Sequence, residues 1–153
     1  MGGVSSQLLR YIEILLIAPW KVELSDKNEY ALPLKRTVPI ANPASFVAQK
    51  ILIHARRDYK DKAKDLLYIH DTIEVFSESL DELHDIFRNA IVPKLHPRRV
   101  VELKSAADKL FGKVADTARE ARLMATGRRL SAERLAETAR AGLKEIFGEE
   151  KKG

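Results

Sequence analysis

Cysteine is absent from this chain of 153 residues, which excludes disulfides and thiolate chemistry and fits a cytoplasmic protein. Long apolar runs are missing as well. The best candidate, YIEILLIAPW at positions 11–20, is interrupted by Glu13 and Pro19 and falls short of the roughly 20 residues needed to cross a bilayer. The opening MGGVSS has no basic flank and no cleavage site after an apolar core, so a signal peptide is not expected. There is no glycine-rich phosphate loop and no Gly-x-Ser-x-Gly elbow; Gly112, Gly127, Gly142 and Gly148 read as kinks, packing positions and caps. The four histidines, His54, His70, His84 and His96, form no pair at metal-ligand spacing within one element, and no metal site is expected. Two carboxylates one residue apart occur nowhere in the chain. Aromatic residues make up only 7%, so few rings are available to stack on bases.

What is present suits one compact domain. Hydrophobic residues are 45% of the chain and charged residues 32%, at a length where a single core buries most apolar surface. The net charge of +5 makes a polyanionic partner plausible.

Leu8, Leu9, Ile12, Leu15 and Leu16 recur at helical spacing, which predicts a helix over 6–17 ended by Pro19. WKVEL then alternates, SDKNE is turn chemistry and YALPLKRTVPI is extended again, which predicts a β-hairpin. Pro33 and Pro39 confine its second arm to an edge. From Asn42 the pattern turns helical. Asn42 is a good N-cap and Pro43 suits the first helical position, for a helix to about Arg57. A second helix is expected over about 61–76. A third starts at a Ser79/Glu82 capping box and ends before Pro93. A fourth starts at Pro97 and runs toward Met124, with Gly112 as a kink point and Gly127 as its C-cap. Ser131 caps the last helix. The fold class is therefore α+β, mainly α: an N-terminal helix, a small hairpin, then a bundle of four to five helices. Residues 1–41 hold the helix and hairpin, 42–148 the bundle, and 149–153 a tail.

The densest stretch is NPASFVAQKILIHARRDYKDKAKDLLYIHD, residues 42–71. Lys50, His54 and Arg57 share one helix face, and Lys64, Tyr68 and Asp71 share one face of the next, with Asp65 beside Lys64. An antiparallel helix pair would bring these stripes together. As solvated ion pairs each would be worth roughly 0–1 kcal/mol.

This run, with LLRYIEILLIAPWKVEL before it, resembles the helical region that follows the catalytic sheet in nucleotidyltransferase-fold proteins. The likeness is to uncharacterised bacterial members and the toxin component of type IV abortive-infection systems, and it covers about residues 4–80. The resemblance implies phosphate or nucleotide contacts at Lys50 and at Arg56 or Arg57, with Lys64 and Asp65 as the Lys-Asp pair opening the second helix and Asp71 as a later acidic position. It also implies Mg²⁺ and a nucleoside triphosphate as cofactors, held by a Gly-Ser turn and an Asp-x-Asp strand that this sequence does not contain. Without that carboxylate pair, nucleotidyl transfer lacks its main electrostatic support. The expectation is a helical, substrate-shaping region that needs a catalytic half and is inactive alone.

A different reading rests on the arginines around ATGRRLS. Arg128 and Arg129 are candidates for nucleic-acid contacts, which would make the chain a non-catalytic basic helical module binding nucleic acid or a protein partner. Interleaved Glu120, Glu133 and Glu137 favour a salt-bridged solvent face there instead. Finally, Trp20, Val22 and Leu24 form an apolar strip on a hairpin with open edges, so a homodimer through residues 6–40 is expected.

Overall fold

The computed structural model describes residues 10–24, 35–112 and 116–149. In order these residues form α1 (Ile12–Leu15), β1 (Trp20–Leu24), β2 (Arg36–Ile40), α2 (Pro43–His54), α3 (Tyr59–Val75), α4 (Leu80–Ile86), α5 (Pro97–Leu110), α6 (Asp116–Met124) and α7 (Ala132–Phe147). The protein is mainly helical with one antiparallel hairpin, as its periodicity implies. Among the described residues no helix is long and apolar enough to cross a membrane.

The N-terminal helix is shorter than its spacing suggests. Among the described residues only one turn forms there, because Tyr11 at φ 59 and Ala18 at φ 45 are left-handed. Such residues occur singly rather than within a right-handed helix. Leu8 and Leu9 lie outside the described residues, as do Pro33, the SDKNE turn and most of the tail. The hairpin pairs Trp20 with Ile40, Val22 with Val38 and Leu24 with Arg36, and its second strand contains Pro39. Trp20 anchors it: its ring meets Phe76 edge-on, with centroids 5.6 Å apart.

Asn42 fixes the junction between hairpin and bundle. Its Oδ1 accepts from the Ser45 amide at 2.8 Å, as an N-cap should. Its Nδ2 donates to the carbonyls of Ile17 and Ala18 at 2.8 and 3.0 Å. The side chain is fully buried, and these bonds offset the cost of removing an amide from water.

Helices α3 and α7 form the centre. The α3 helix packs against α2, α6 and α7, while α7 also meets α4, α5 and α6. Ile69, Ile73, Leu135, Ala139, Leu143 and Ile146 are all buried in this centre. Gly142 is required by the close approach: a Cβ there would lie 2.2 Å from Ile73 Cγ2. At the end of α7, Phe147 meets Phe87 edge-on at 4.7 Å.

Three boundaries depart from expectation. Ser79 makes no capping bond, because Ser77–Ser79 is a 3₁₀ turn running straight into α4 and leaves Ser79 at φ −127, ψ 26. An N-cap needs extended backbone. The helical path also does not stop before Pro93. It widens into a π segment, Phe87–Ile91, then a 3₁₀ turn, Val92–Lys94. The Val92 amide reaches back to the Phe87 carbonyl, and the wider turn takes up the strain of a proline that donates nothing and crowds the preceding turn. The long helix from Pro97 breaks at Phe111 and Gly112 rather than kinking, and the Phe111 carbonyl is taken by Arg140 Nε at 3.0 Å. Gly127, at φ 76, ends the α6 region, and Ser131 caps α7 by accepting from the Arg134 amide at 3.1 Å.

Candidate functional site

The site begins with α2 and α3 as an antiparallel pair. Apolar residues at positions 47, 48, 51 and 52 bind α2 to the core, which turns Lys50, His54 and Arg57 along the seam with α3. Facing them is Asp65, only 2% exposed. Lys50 Nζ lies 3.2 Å from Asp65 Oδ1, and Arg57 Nε lies 3.4 Å from Oδ2. The second pair is not aligned as a hydrogen bond: Arg57 Nε and Asp65 Oδ2 are buried without one, and so is His54 Nδ1. Two cations therefore neutralise one sunken carboxylate while several polar atoms keep bonding capacity.

Aromatic rings complete the setting of Lys50. Its ammonium lies 5.4 Å from the Phe46 centroid and 5.3 Å from that of Tyr68, within cation–π range of both. The two rings are 6.5 Å apart, and Tyr68 is exposed. Burial holds the His54 imidazole below its ordinary value of 6.5; Asp65 opposes that shift and Lys62 adds to it.

Of the residues singled out by sequence, Lys50, Arg57 and Asp65 come together. Arg56 is exposed at the end of α2. Lys64 is exposed and lies 3.7 Å from Asp61, which also lies 3.8 Å from Arg57. Asp71 faces away, toward Arg128. Reasoning from the sequence missed Phe46, although its position four residues before Lys50 places it on the same helix face.

A nucleotidyltransferase family model matches residues 1–92. The chain belongs to this nucleotidyltransferase family. No curated protein and no solved structure matches it. The matched part of the nucleotidyltransferase chain contains the hairpin, α2, α3 and α4, and so the whole Lys50–Arg57–Asp65 cluster.

The second arginine-rich candidate lies beyond the matched residues. Arg128 is exposed but engaged: its Nη1 donates to Asp71 Oδ1 and its Nη2 to Glu74 Oε2, each at 2.7 Å. The hydrogen bond to Asp71, above all, holds its guanidinium above its ordinary pKa. His70 Nδ1 lies 2.9 Å from the same Asp71 oxygen. Ligand atoms of His70, Asp71 and Glu74 all lie within 4.8 Å of one another, and the Arg128 guanidinium bridges the two carboxylates as a built-in cation. Arg129 lines a shallow depression with Arg119 and Arg122 at the start of α7. Arg119 is held by Asp116, and Arg122 Nε donates to the Leu130 carbonyl at 3.2 Å.

Proposed function

We propose that this chain is the helical, substrate-shaping region of a nucleotidyltransferase, in which the α2–α3 seam receives the phosphates of a nucleotide. The observation that carries this reading is the cluster itself: Lys50 and Arg57 converge on one buried carboxylate inside the residues matched to the family. Its donors suit a polyphosphate. They do not suit Mg²⁺, because the cluster offers one carboxylate and two cations already neutralise it. In this reading Lys50 contacts phosphate, Arg57 and the exposed Arg56 support it, and Asp65 holds the two helices at the spacing that presents Lys50. The metal, when bound by carboxylates supplied from further polypeptide, would stabilise charge on the transferring phosphoryl group. The chain by itself carries out no transfer and works in the cytoplasm.

Calorimetric titration with a nucleoside triphosphate tests the reading. Binding should be competed by inorganic triphosphate and lost in a Lys50→Met, Asp65→Leu variant that remains folded. Unchanged binding by that variant, or metal-dependent transfer by the 153-residue chain, refutes it.

A second reading is favoured by the depression lined by Arg119, Arg122 and Arg129, which suits an RNA backbone. Its affinity would fall steeply with added salt as counterions are released. Arg129→Ala should then weaken RNA binding while Arg128→Ala does so less, since Arg128 is held by Asp71 and Glu74. Equal effects would remove this surface from consideration.

A further inference from the structure

The outer edge of β1 has properties that the nucleotide reading does not use. Among the described residues the sheet has two strands, and no helix lies along either of its outer edges. The edges are unlike. β2 contains Pro39, which cannot donate to a ladder and is tolerated at an edge for that reason, whereas β1 keeps every amide donor. An edge with its full set of donors and acceptors is a template for another strand.

The sequence of β1 indicates which strand. Trp20-Lys21-Val22-Glu23-Leu24 is self-complementary about its middle residue. Laid antiparallel against a second copy with Val22 opposite Val22, Lys21 faces the partner's Glu23, Glu23 faces the partner's Lys21, and Trp20 and Leu24 face each other. Residues directly opposite in an antiparallel pair project to the same side. All apolar residues then fall on one face and all charges on the other. Other registers fail on the same residues. Centring on Lys21 or Glu23 sets like charges opposite each other, and a slip by one residue sets lysine against valine.

The charges this junction would use are accessible. Lys21 and Glu23 are exposed, and the Lys35 ammonium that lies 2.9 Å from Glu23 is itself 71% exposed and can share the carboxylate. On the apolar face Val38 and Ile40 remain 36% and 43% exposed, so joining two hairpins would extend an apolar strip that the bundle does not cover. Trp20 is held edge-on against Phe76, so its position opposite the partner's Leu24 is fixed before the hairpins meet.

We infer that β1 is the pairing edge for a second copy of this chain, giving a two-fold four-stranded sheet in the order β2-β1-β1-β2 centred on Val22. The assembly is isologous and closed, so it stops at a dimer.

Sedimentation velocity on the full chain across the micromolar range tests it with two charge reversals, Lys21→Glu and Glu23→Lys. The intact chain should sediment as a dimer. Each variant alone would place like charges opposite each other at two positions and should dissociate roughly tenfold more readily. Mixing the two variants restores opposite charges at both positions, so the mixture should regain dimer at the intact chain's level. That recovery also shows that each variant presents a folded hairpin, which unchanged far-UV dichroism and melting of the separate variants check independently. A monomeric intact chain, variants that dimerise as well as the intact chain, or a mixture of folded variants that does not recover would each overturn the junction. None of these outcomes bears on nucleotide binding at the α2–α3 seam.

Discussion

Helix α3 carries two aspartates, Asp65 and Asp71, in opposite circumstances. The outer one has the shorter contacts: Asp71 is 2.7 Å from Arg128 and 2.9 Å from His70. The inner one makes looser contacts, 3.2 Å to Lys50 and 3.4 Å to Arg57. Distance alone would rank Asp71 as the more important. Burial reverses the order, because the Asp71 side chain is 36% exposed and that of Asp65 only 3%. Water already solvates the outer charges well, so pairing them adds little. At the inner site the protein must supply what water no longer does, and losing one partner leaves the others uncompensated.

The largest effect should follow from breaking the inner site. Asp65→Leu is expected to lower unfolding free energy by about 3–5 kcal/mol in chemical denaturation, since Lys50 is left buried without its counter-charge. Adding Lys50→Met should recover part of that loss. A double variant as unstable as the sum of the two singles would break the comparison. Next, Gly142→Ala probes the contact of α3 with α7, where the added methyl would meet Ile73; overpacking of this kind costs about 1–3 kcal/mol. Ile73→Val in the same chain should relieve some of it, and a neutral Gly142→Ala would show that α3 and α7 are free to separate.

His54 gives a smaller, pH-dependent effect. Its folded pKa lies below 6.5 because burial disfavours the charged form. The unfolded chain therefore takes up the proton first as pH falls. The stability His54 contributes is complete above that ordinary value and declines as pH drops through it toward the lower folded pKa. Denaturation midpoints of His54→Gln should fall less between neutral and mildly acidic pH than those of the intact chain. A parallel decline in both would assign the acid sensitivity to other groups. The smallest effect belongs to the outer site: Arg128→Ala should cost about 0–1 kcal/mol and lose even that in high salt. A loss as large as that of Asp65→Leu would erase the distinction between the two aspartates.

Much of the fold was legible because it rests on local chemistry. Asn42 and Ser131 announce N-caps and Pro43 a first helical residue, signals that depend on a few consecutive residues, and all three serve as such, whereas Gly127 takes its left-handed turn three residues beyond the end of α6. Ser79 misled because a capping box assumes extended backbone before the helix, and only the preceding residues decide whether a 3₁₀ turn replaces it. Phe111–Gly112 was marked by its glycine, but the break depends on Arg140, far along the chain, taking the Phe111 carbonyl. At the candidate site, helical spacing placed Lys50 and Arg57 on one face. Which residue of the Lys64–Asp65 pair would turn inward depends on how α3 rotates against α2, and spacing within one helix does not report that angle. Arg128 shows the same limit: its partners lie on α3, and no local pattern links them.

The Asn42 side chain also sets how the molecule opens. Because it caps α2 while holding the Ile17 and Ala18 carbonyls, both ends of the hairpin segment are fastened at one buried point. The strands beyond that point can fray and re-form as a unit without disturbing α2. In deuterium exchange, the amides of β1 and β2 should label through such local excursions at a rate insensitive to small amounts of denaturant. Those in the middle of α3 and α7 should label only when the whole chain unfolds. The Ser45 amide, which donates to Asn42, belongs to the second group and marks where slow exchange begins along the chain.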